Sequence, residues 1–266
     1  MADNKGTLCA RMARLGVLLA GCTAAAQVLA FAVAVTPPRV ELAAKPGETV
    51  RQVIEISNME RGAQSLHFKT MDWSLTPAGG VVAQDALTAA SCRPWFRLER
   101  PDVSLGGGAK VRYRTEVHVP ADAPDQECRA MVSIEGADAT TKNLPMAGRL
   151  GIIYYVRVGH AAASLTLERA EVRLLQGQRV PGLWFRNAGT ASGRLQGYLT
   201  VVDSKGVQIE ASMSTFPILP GEHRWMFMQL EKEGAQWSRL AWPLHVKGTL
   251  FAGKQQWKVD EWVKNG

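Results

Sequence analysis

Few residues in this 266-residue chain are spaced for chemistry. The five histidines, at positions 67, 118, 160, 223 and 245, are scattered, with no pair two or four residues apart to hold a metal from one face. The paired acids Asp122 and Asp125 lie inside Pro120-Ala121-Asp122-Ala123-Pro124-Asp125. Aspartate there is a turn former rather than half of a general acid–base pair. A G-x-S-x-G nucleophile turn, an H-E-x-x-H zinc helix, a phosphate loop and a dinucleotide fingerprint are all missing. Gly106-Gly107-Gly108-Ala109-Lys110 has the glycines of a phosphate cradle. It lacks the Ser or Thr after the lysine and the helix that must follow, and reads as a hairpin turn. The expectation is a protein that is not an enzyme and takes no cofactor and no metal.

The charge has an equally plain reading. There are 31 Lys and Arg against 24 Asp and Glu, for +7. Residues 1–32 hold three of the bases and one acid, so the remainder carries +5. Bases and acids are interspersed, with no run of five like charges. A nucleic-acid surface needs a basic stripe interleaved with aromatics, so no nucleic-acid partner is expected.

The four cysteines point to a compartment. Cys9 and Cys22 fall in the first 35 residues, leaving Cys92 and Cys128 for the body of the chain. Arg11 and Arg14 precede an uncharged apolar stretch from Leu15 to Val35. Three readings of it stay open. It is a signal peptide cut after Ala30-Phe31-Ala32, a lipoprotein signal with the lipid on Cys22 in Leu19-Ala20-Gly21-Cys22, or a retained membrane anchor. Each exports the rest of the chain, and the membrane is a partner only through this segment if it is uncleaved or lipidated. Two cysteines in an exported chain are expected to pair as Cys92–Cys128, the alternative being two separate buried thiols.

The elements that would position these residues are strands. Val111, Tyr113, Thr115, Val117 and Val119 alternate with charged or polar residues, and Cys128, Ala130, Val132 and Ile134 give the inward face of a second period-two strand. Turn signals recur every 8–15 residues or so, among them Lys45-Pro46-Gly47-Glu48, Thr76-Pro77-Ala78-Gly79-Gly80, Asp203-Ser204-Lys205-Gly206 and Pro220-Gly221-Glu222. A weak internal repeat runs from a glycine through a strand to an asparagine and a small polar turn. It appears once from Gly47 to Asn58 with Leu66-His67-Phe68 beyond, and again from Gly177 to Asn187 with Leu195-Gln196-Gly197-Tyr198 beyond. An asparagine at a strand end hydrogen-bonds its own turn. The fold expected is all-β, with two immunoglobulin-like β-sandwich domains in tandem after the N-terminal signal or anchor segment. The boundaries fall at 1–35, 36–160 and 161–266. Of the eight tryptophans, Trp184, Trp225, Trp237, Trp242, Trp257 and Trp262 lie in the second half. Alternation as in Trp225-Met226-Phe227 assigns most of them to the core, with a partner surface for the excess.

Two segments carry a family resemblance. Val35-Thr36-Pro37-Pro38-Arg39-Val40-Glu41-Leu42, with Lys45-Pro46-Gly47-Glu48 and the strand ending at Asn58, resembles the opening of periplasmic pilus-assembly chaperones of the PapD-like family. Trp95-Phe96, Val119-Pro120-Ala121-Asp122-Ala123-Pro124-Asp125, Arg129-Ala130-Met131 and the stretch from Arg149 to Arg157 are similar to later strands of the same domain. The resemblance implies two sandwiches flanking a cleft and an exported pilin-like protein subunit as client. It adds an outer-membrane assembly component as a further candidate partner. It also implies a basic residue of the first strand and a lysine of the last strand of domain one gripping the subunit's C-terminal carboxylate, while alternating apolar residues of that strand complete the subunit's sheet. Arg39 matches the first anchor. The lysine position falls on Gly151, and Arg149, two residues earlier on the same strand face, supplies the charge instead. The donor series is Leu144, Met146, Leu150 and Ile152, interrupted by Pro145 and Gly148. A second function stays open beside this one, a non-catalytic structural or interaction protein of the cell envelope.

Overall fold

The computed structural model describes residues 31–88, 91–136 and 148–264, so the N-terminal segment with Cys9 and Cys22 lies outside the described residues. Within them the expected alternation builds two sheets around a first core. Strands β1 (Val33–Thr36), β3 (Thr49–Asn58), β6 (Phe96–Leu98) and β8 (Lys110–His118) form one sheet in the order β1-β3-β8-β6. Strands β2 (Arg39–Ala44), β4 (Gln64–Leu75), β9 (Glu127–Gly136) and β10 (Arg149–Val158) form the other in the order β2-β10-β9-β4, with β5 (Val81–Gln84) and β7 (Asp102–Leu105) also paired to β4. Pro37 and Pro38 end β1, because proline donates no ladder bond, and the chain crosses there from one sheet to the other. β2 then runs parallel to β10.

The inward residues are those of the alternating parity. Ile54, Ile56, Tyr113, Val132, Ile134 and Ile152 are fully buried. Phe68 stacks on Tyr113 with ring centroids 4.2 Å apart, and Phe96 meets Tyr154 edge-on at 5.3 Å. A buried phenol needs a partner. The Tyr154 hydroxyl lies 2.7 Å from Thr115 Oγ1, and the Tyr113 hydroxyl donates to the Arg100 carbonyl. Burial pushes the Tyr113 hydroxyl up to about 12. Cys92 and Cys128 are joined by a disulfide at the edge of this core, with Cα atoms 5.8 Å apart.

One turn differs from its sequence reading. The glycines 106–108 do not close a hairpin, because β7 pairs with β4 in one sheet and β8 with β3 in the other. The turn is an arch between sheets. Gly107 is required there by close approach, since a Cβ would lie 1.9 Å from the Arg61 carbonyl oxygen.

The second core is enclosed by one seven-stranded sheet folded into a sandwich. It contains β11 (Leu165–Leu175), β12 (Gln178–Asn187), β13 (Tyr198–Val202), β14 (Gln208–Met213), β15 (His223–Leu230), β16 (Leu244–Ala252) and β17 (Gln255–Val263). The order is β11-β12-β15-β14-β13-β16-β17. Its ends approach each other where the Gln255 side chain bonds the backbone of Leu165. Phe185 meets Trp257 edge-on across this core at 5.3 Å. The chain is all-β, two sandwiches in tandem. Of the second-half tryptophans only Trp237 is buried, while Trp262 is 62% exposed. On β15 the core parity belongs to Met226 and Met228, so Trp225 and Phe227 stand half-buried on the other face.

The two asparagines of the internal repeat do the same work. Asn58 Oδ1 accepts from Glu60 N, and Nδ2 donates to the carbonyls of Gly62, Leu105 and Gly106. Asn187 Oδ1 accepts from Gly189 N and Ser164 N, and Nδ2 donates to the carbonyls of Ala191 and Ile218. Each ties the loop after its strand to the loop before the neighbouring strand.

Asp203 organises a third turn. The N–H of Ala241, helped by those of Val207 and Lys205, holds its carboxyl below the ordinary value against the opposing effect of desolvation. A depressed folded-state pKa stabilises at neutral pH and loses that contribution as pH falls through it. Stability is therefore expected to decline below about pH 4. Asp203→Asn lowers stability at pH 7 and flattens that acid limb, a result that urea titrations from pH 2.5 to 7 read directly.

Candidate functional site

Register across β2, β10 and β9 lays the outward side chains in rows. Ile153 stands beside Arg39 on one side and Met131 on the other, and Met131 faces Met71. In the next row Tyr155 stands between Glu41 and Arg129. Arg39 and Arg149 therefore share a face of the sheet. Arg149 precedes Ile153 by four residues, about 13 Å along the strand. Arg149 Nε lies 2.8 Å from Glu135 Oε1, which also receives Lys69 Nζ at 3.3 Å. The two arginines thus face one way but do not converge. At Gly151 a Cβ would come within 2.3 Å of Met131 Sδ, so methionine fills the space a longer side chain would take.

The residue that does join Arg39 comes from the second sandwich. Arg39 Nε lies 3.0 Å from Glu41 Oε1, and Arg194 Nε lies 3.5 Å from the same oxygen. Arg194 also places its guanidinium 5.1 Å above the Tyr155 ring and donates to the Thr215 carbonyl at 2.9 Å. Burial raises the Tyr155 hydroxyl, with Arg194 and Arg39 acting against the rise. Sequence reasoning missed Glu41, Tyr155 and Arg194. Tyr154 and Tyr155 are adjacent, so only the parity of β10 separates the core tyrosine from the one facing Arg194. Arg194 sits in a small-residue turn whose position depends on a contact between sandwiches.

That contact is built on Glu127, whose side chain is fully buried. Its carboxylate accepts from Ser192 N at 3.1 Å and from the Ser192 hydroxyl, and Arg157 Nε lies 3.7 Å away. On the other side, the turn at 76–80 reaches the second sandwich. Arg224 donates to the Thr76 carbonyl at 3.0 Å, and the Phe216 ring covers Gly79 so closely that a Cβ would lie 2.4 Å from it. Replacing Glu127 with Ala removes the acceptor of Ser192 N and of the Ser192 hydroxyl, and the charge facing Arg157, which keeps its bond to the Ser192 carbonyl. The expected cost is about 2–4 kcal/mol, measurable by urea denaturation.

On the donor strand, Ile152 points into the first core at 0% exposure and Leu150 is half-buried against it. Leu144 and Met146 lie outside the described residues. Among the described residues, the edge of β10 opposite β9 is only partly covered. β2 pairs with residues 153–158, and Ile153 N donates to the Pro38 carbonyl on that side. By strand parity the N–H and C=O of Gly151 face the same side, where no backbone partner is found among the described residues. Among the described residues no group of His, Cys, Asp or Glu could hold a metal ion, and no helix is long and apolar enough to cross a membrane.

No family model matches the chain, and no curated protein matches it. Solved structures do. The class 5 fimbriae chaperone CfaA is 13% identical, with 86% of this chain and 99% of that chain covered and a TM-score of 0.47. The E. coli chaperone DraB is 14% identical over 86% and 98%, with a TM-score of 0.44. The CsuC–CsuE chaperone–tip adhesion subunit pre-assembly complex, from archaic chaperone-usher Csu pili of Acinetobacter baumannii, is 12% identical over 86% and 97%, with a TM-score of 0.44. Over most of its length, at low identity, the chain is similar to solved fimbrial chaperones.

Proposed function

We propose that this chain is an exported, non-catalytic chaperone that binds a pilin-like subunit by strand addition and caps it during assembly. The observation that carries the reading is the edge of β10 at residues 149–152, which has no backbone partner among the described residues, beside the outward-facing Arg39. An unpaired strand edge on a subunit is an aggregation hazard, and an edge offered in return removes it. In this reading the segment before β1 delivers the protein to the periplasm. The expected boundary at residue 35 moves to the start of β1, because Val33–Thr36 pair with β3 and Val33 and Val35 pack on the first core. This sandwich, to residue 160, and 161–266 are separate domains. Leu144, Met146 and the half-buried Leu150 form the apolar series of the donor strand, whereas Ile152, wholly buried, is committed to this chain's own core. Arg39 grips the subunit's terminal carboxylate, and Arg149 meets its chain further along the same face. An outer-membrane assembly component then receives the subunit.

Purified with a subunit whose own sheet lacks a strand, the chain is expected to hold that subunit soluble in a one-to-one complex. Arg39→Ala weakens the complex about 30-fold, the lower end for truncating one member of a charge pair, because Arg39 is half-exposed. Undiminished capture by Arg39→Ala contradicts carboxylate anchoring.

One observation favours the second reading, an envelope interaction module. Tyr198, Phe251 and Trp262 are 64%, 42% and 62% exposed on the second sandwich. Under that reading alanine at these three positions abolishes partner recovery and Arg39→Ala does not.

A further inference from the structure

The arginines around the junction outnumber the acids that meet them. Arg39, Arg129, Arg157, Arg194 and Arg224 stand against Glu41, Glu127 and Glu222. Glu127 is wholly buried and committed to Ser192 and Arg157. Glu41 is different. Its side chain is 44% exposed, and one carboxylate oxygen is shared by a guanidinium from each sandwich, Arg39 at 3.0 Å and Arg194 at 3.5 Å.

A carboxylate between two guanidiniums is the arrangement an anionic ligand would make there. Arg194 is held for the task. Its guanidinium rests on the Tyr155 ring, Nη1 is fixed by the Thr215 carbonyl, and the adjoining turn is pinned through Ser192 by Glu127. Arg149, neutralised by Glu135 and about 13 Å along the strand, is not part of this group.

We propose that Arg39 and Arg194 together form the carboxylate-binding pair of this protein, and that Glu41 is a built-in stand-in which an incoming carboxylate must displace. The inference deepens the chaperone reading and rests on it for the identity of the ligand, a protein chain's terminal carboxylate. Charge has two consequences here. Affinity is restrained by an internal competitor, and a ligand that displaces Glu41 frees it from both sandwiches at once.

The test uses the purified protein and two probes, N-acetyl-leucine with its free carboxylate and N-acetyl-leucinamide without one. Arginine Nε–H resonances are followed by NMR. The acid is expected to shift the Arg39 and Arg194 signals together, and the amide to shift neither. Glu41→Gln tightens the acid about fivefold, the scale of one half-exposed charge pair, and this gain cannot arise from misfolding. Arg194→Gln weakens it about tenfold, Arg194→Lys less, and Lys258→Gln on β17 leaves it unchanged. An acid that moves Arg39 alone, or a Glu41→Gln variant with unchanged affinity, overturns the proposal. The two levels separate cleanly. If the acid behaves as expected but no exported subunit is recovered with the chain, the pair stands and the chaperone reading falls. If a subunit is captured and Arg194→Gln has no effect on it or on the probe, the reverse holds.

Discussion

Replacing Cys92 and Cys128 together with alanine is expected to lower the unfolding free energy by about 3–4 kcal/mol. The bridge closes a loop with a sequence separation of 36, so its removal returns considerable freedom to the unfolded chain. Both sulfurs sit in the rim of the first core, at 7% and 3% exposure, and alanine there leaves apolar lining without a buried polar orphan. The consequence extends to the junction. Cys128 follows Glu127 on β9, and Arg129 comes next, so the bridge holds the end of the strand that pins the second sandwich. Urea denaturation of the oxidised protein against the double variant measures the difference. A loss below about 1 kcal/mol contradicts the account of what the bridge does.

Asn187→Ala is expected to cost about 2–4 kcal/mol and to weaken carboxylate binding at a site it does not touch. Its side chain makes four hydrogen bonds, to the N–H groups of Ser164 and Gly189 and the carbonyls of Ala191 and Ile218. Asn187 is fully buried, and alanine deprives Ser164 N, Gly189 N and the Ala191 carbonyl of this partner, while the Ile218 carbonyl keeps Gly193 N. The loop it ties down leads through Ser192 to Arg194. Its loosening therefore reaches Arg194, while Arg39, on a paired strand, stays in place. Asn58→Ala supplies the comparison. It removes the same kind of tie from the first sandwich and lowers stability by a similar amount, yet its loop carries no part of the arginine pair. The outcome that opposes the account is a pair of variants equally destabilised and equally altered in acid-probe titrations.

Much of this architecture was legible in the chain because it depends on local alternation. The parity of Val111 to Val119 and of Cys128 to Ile134 assigned the buried faces, and Tyr113, Val117, Val132 and Ile134 lie in the core. The asparagine repeat was legible for the same reason, since an Asn side chain answers to the turn beside it. Its continuation holds at Leu66 and Leu195, which are buried, and stops at Tyr198, which is exposed. The arch at glycines 106–108 was not legible. A turn's residues encode a change of direction, whereas the choice between hairpin and arch is made by which strands pair elsewhere. The tryptophans were legible in part, since Trp237 is buried and Trp225, Trp242 and Trp257 pack half-buried against the second core. Alternation in Trp225-Met226-Phe227 says that two residues share a face but not which face is inward, and methionine took the core. Arg194 was hidden most deeply, because its partner Glu41 lies 153 positions earlier and only the packing of one sandwich on the other brings them together.

In strand addition the edge of β10 at residues 149–152 pairs with a client strand. Amide hydrogen exchange on the chain alone and in its co-purified complex with an exported subunit tests it most directly. The Gly151 amide, without a backbone partner among the described residues, is expected to slow at least about tenfold in the complex, while Ile153, already bonded to Pro38, changes less. Unaltered exchange at Gly151, with protection appearing instead around Tyr198, Phe251 and Trp262, contradicts strand addition and assigns partner binding to the second sandwich.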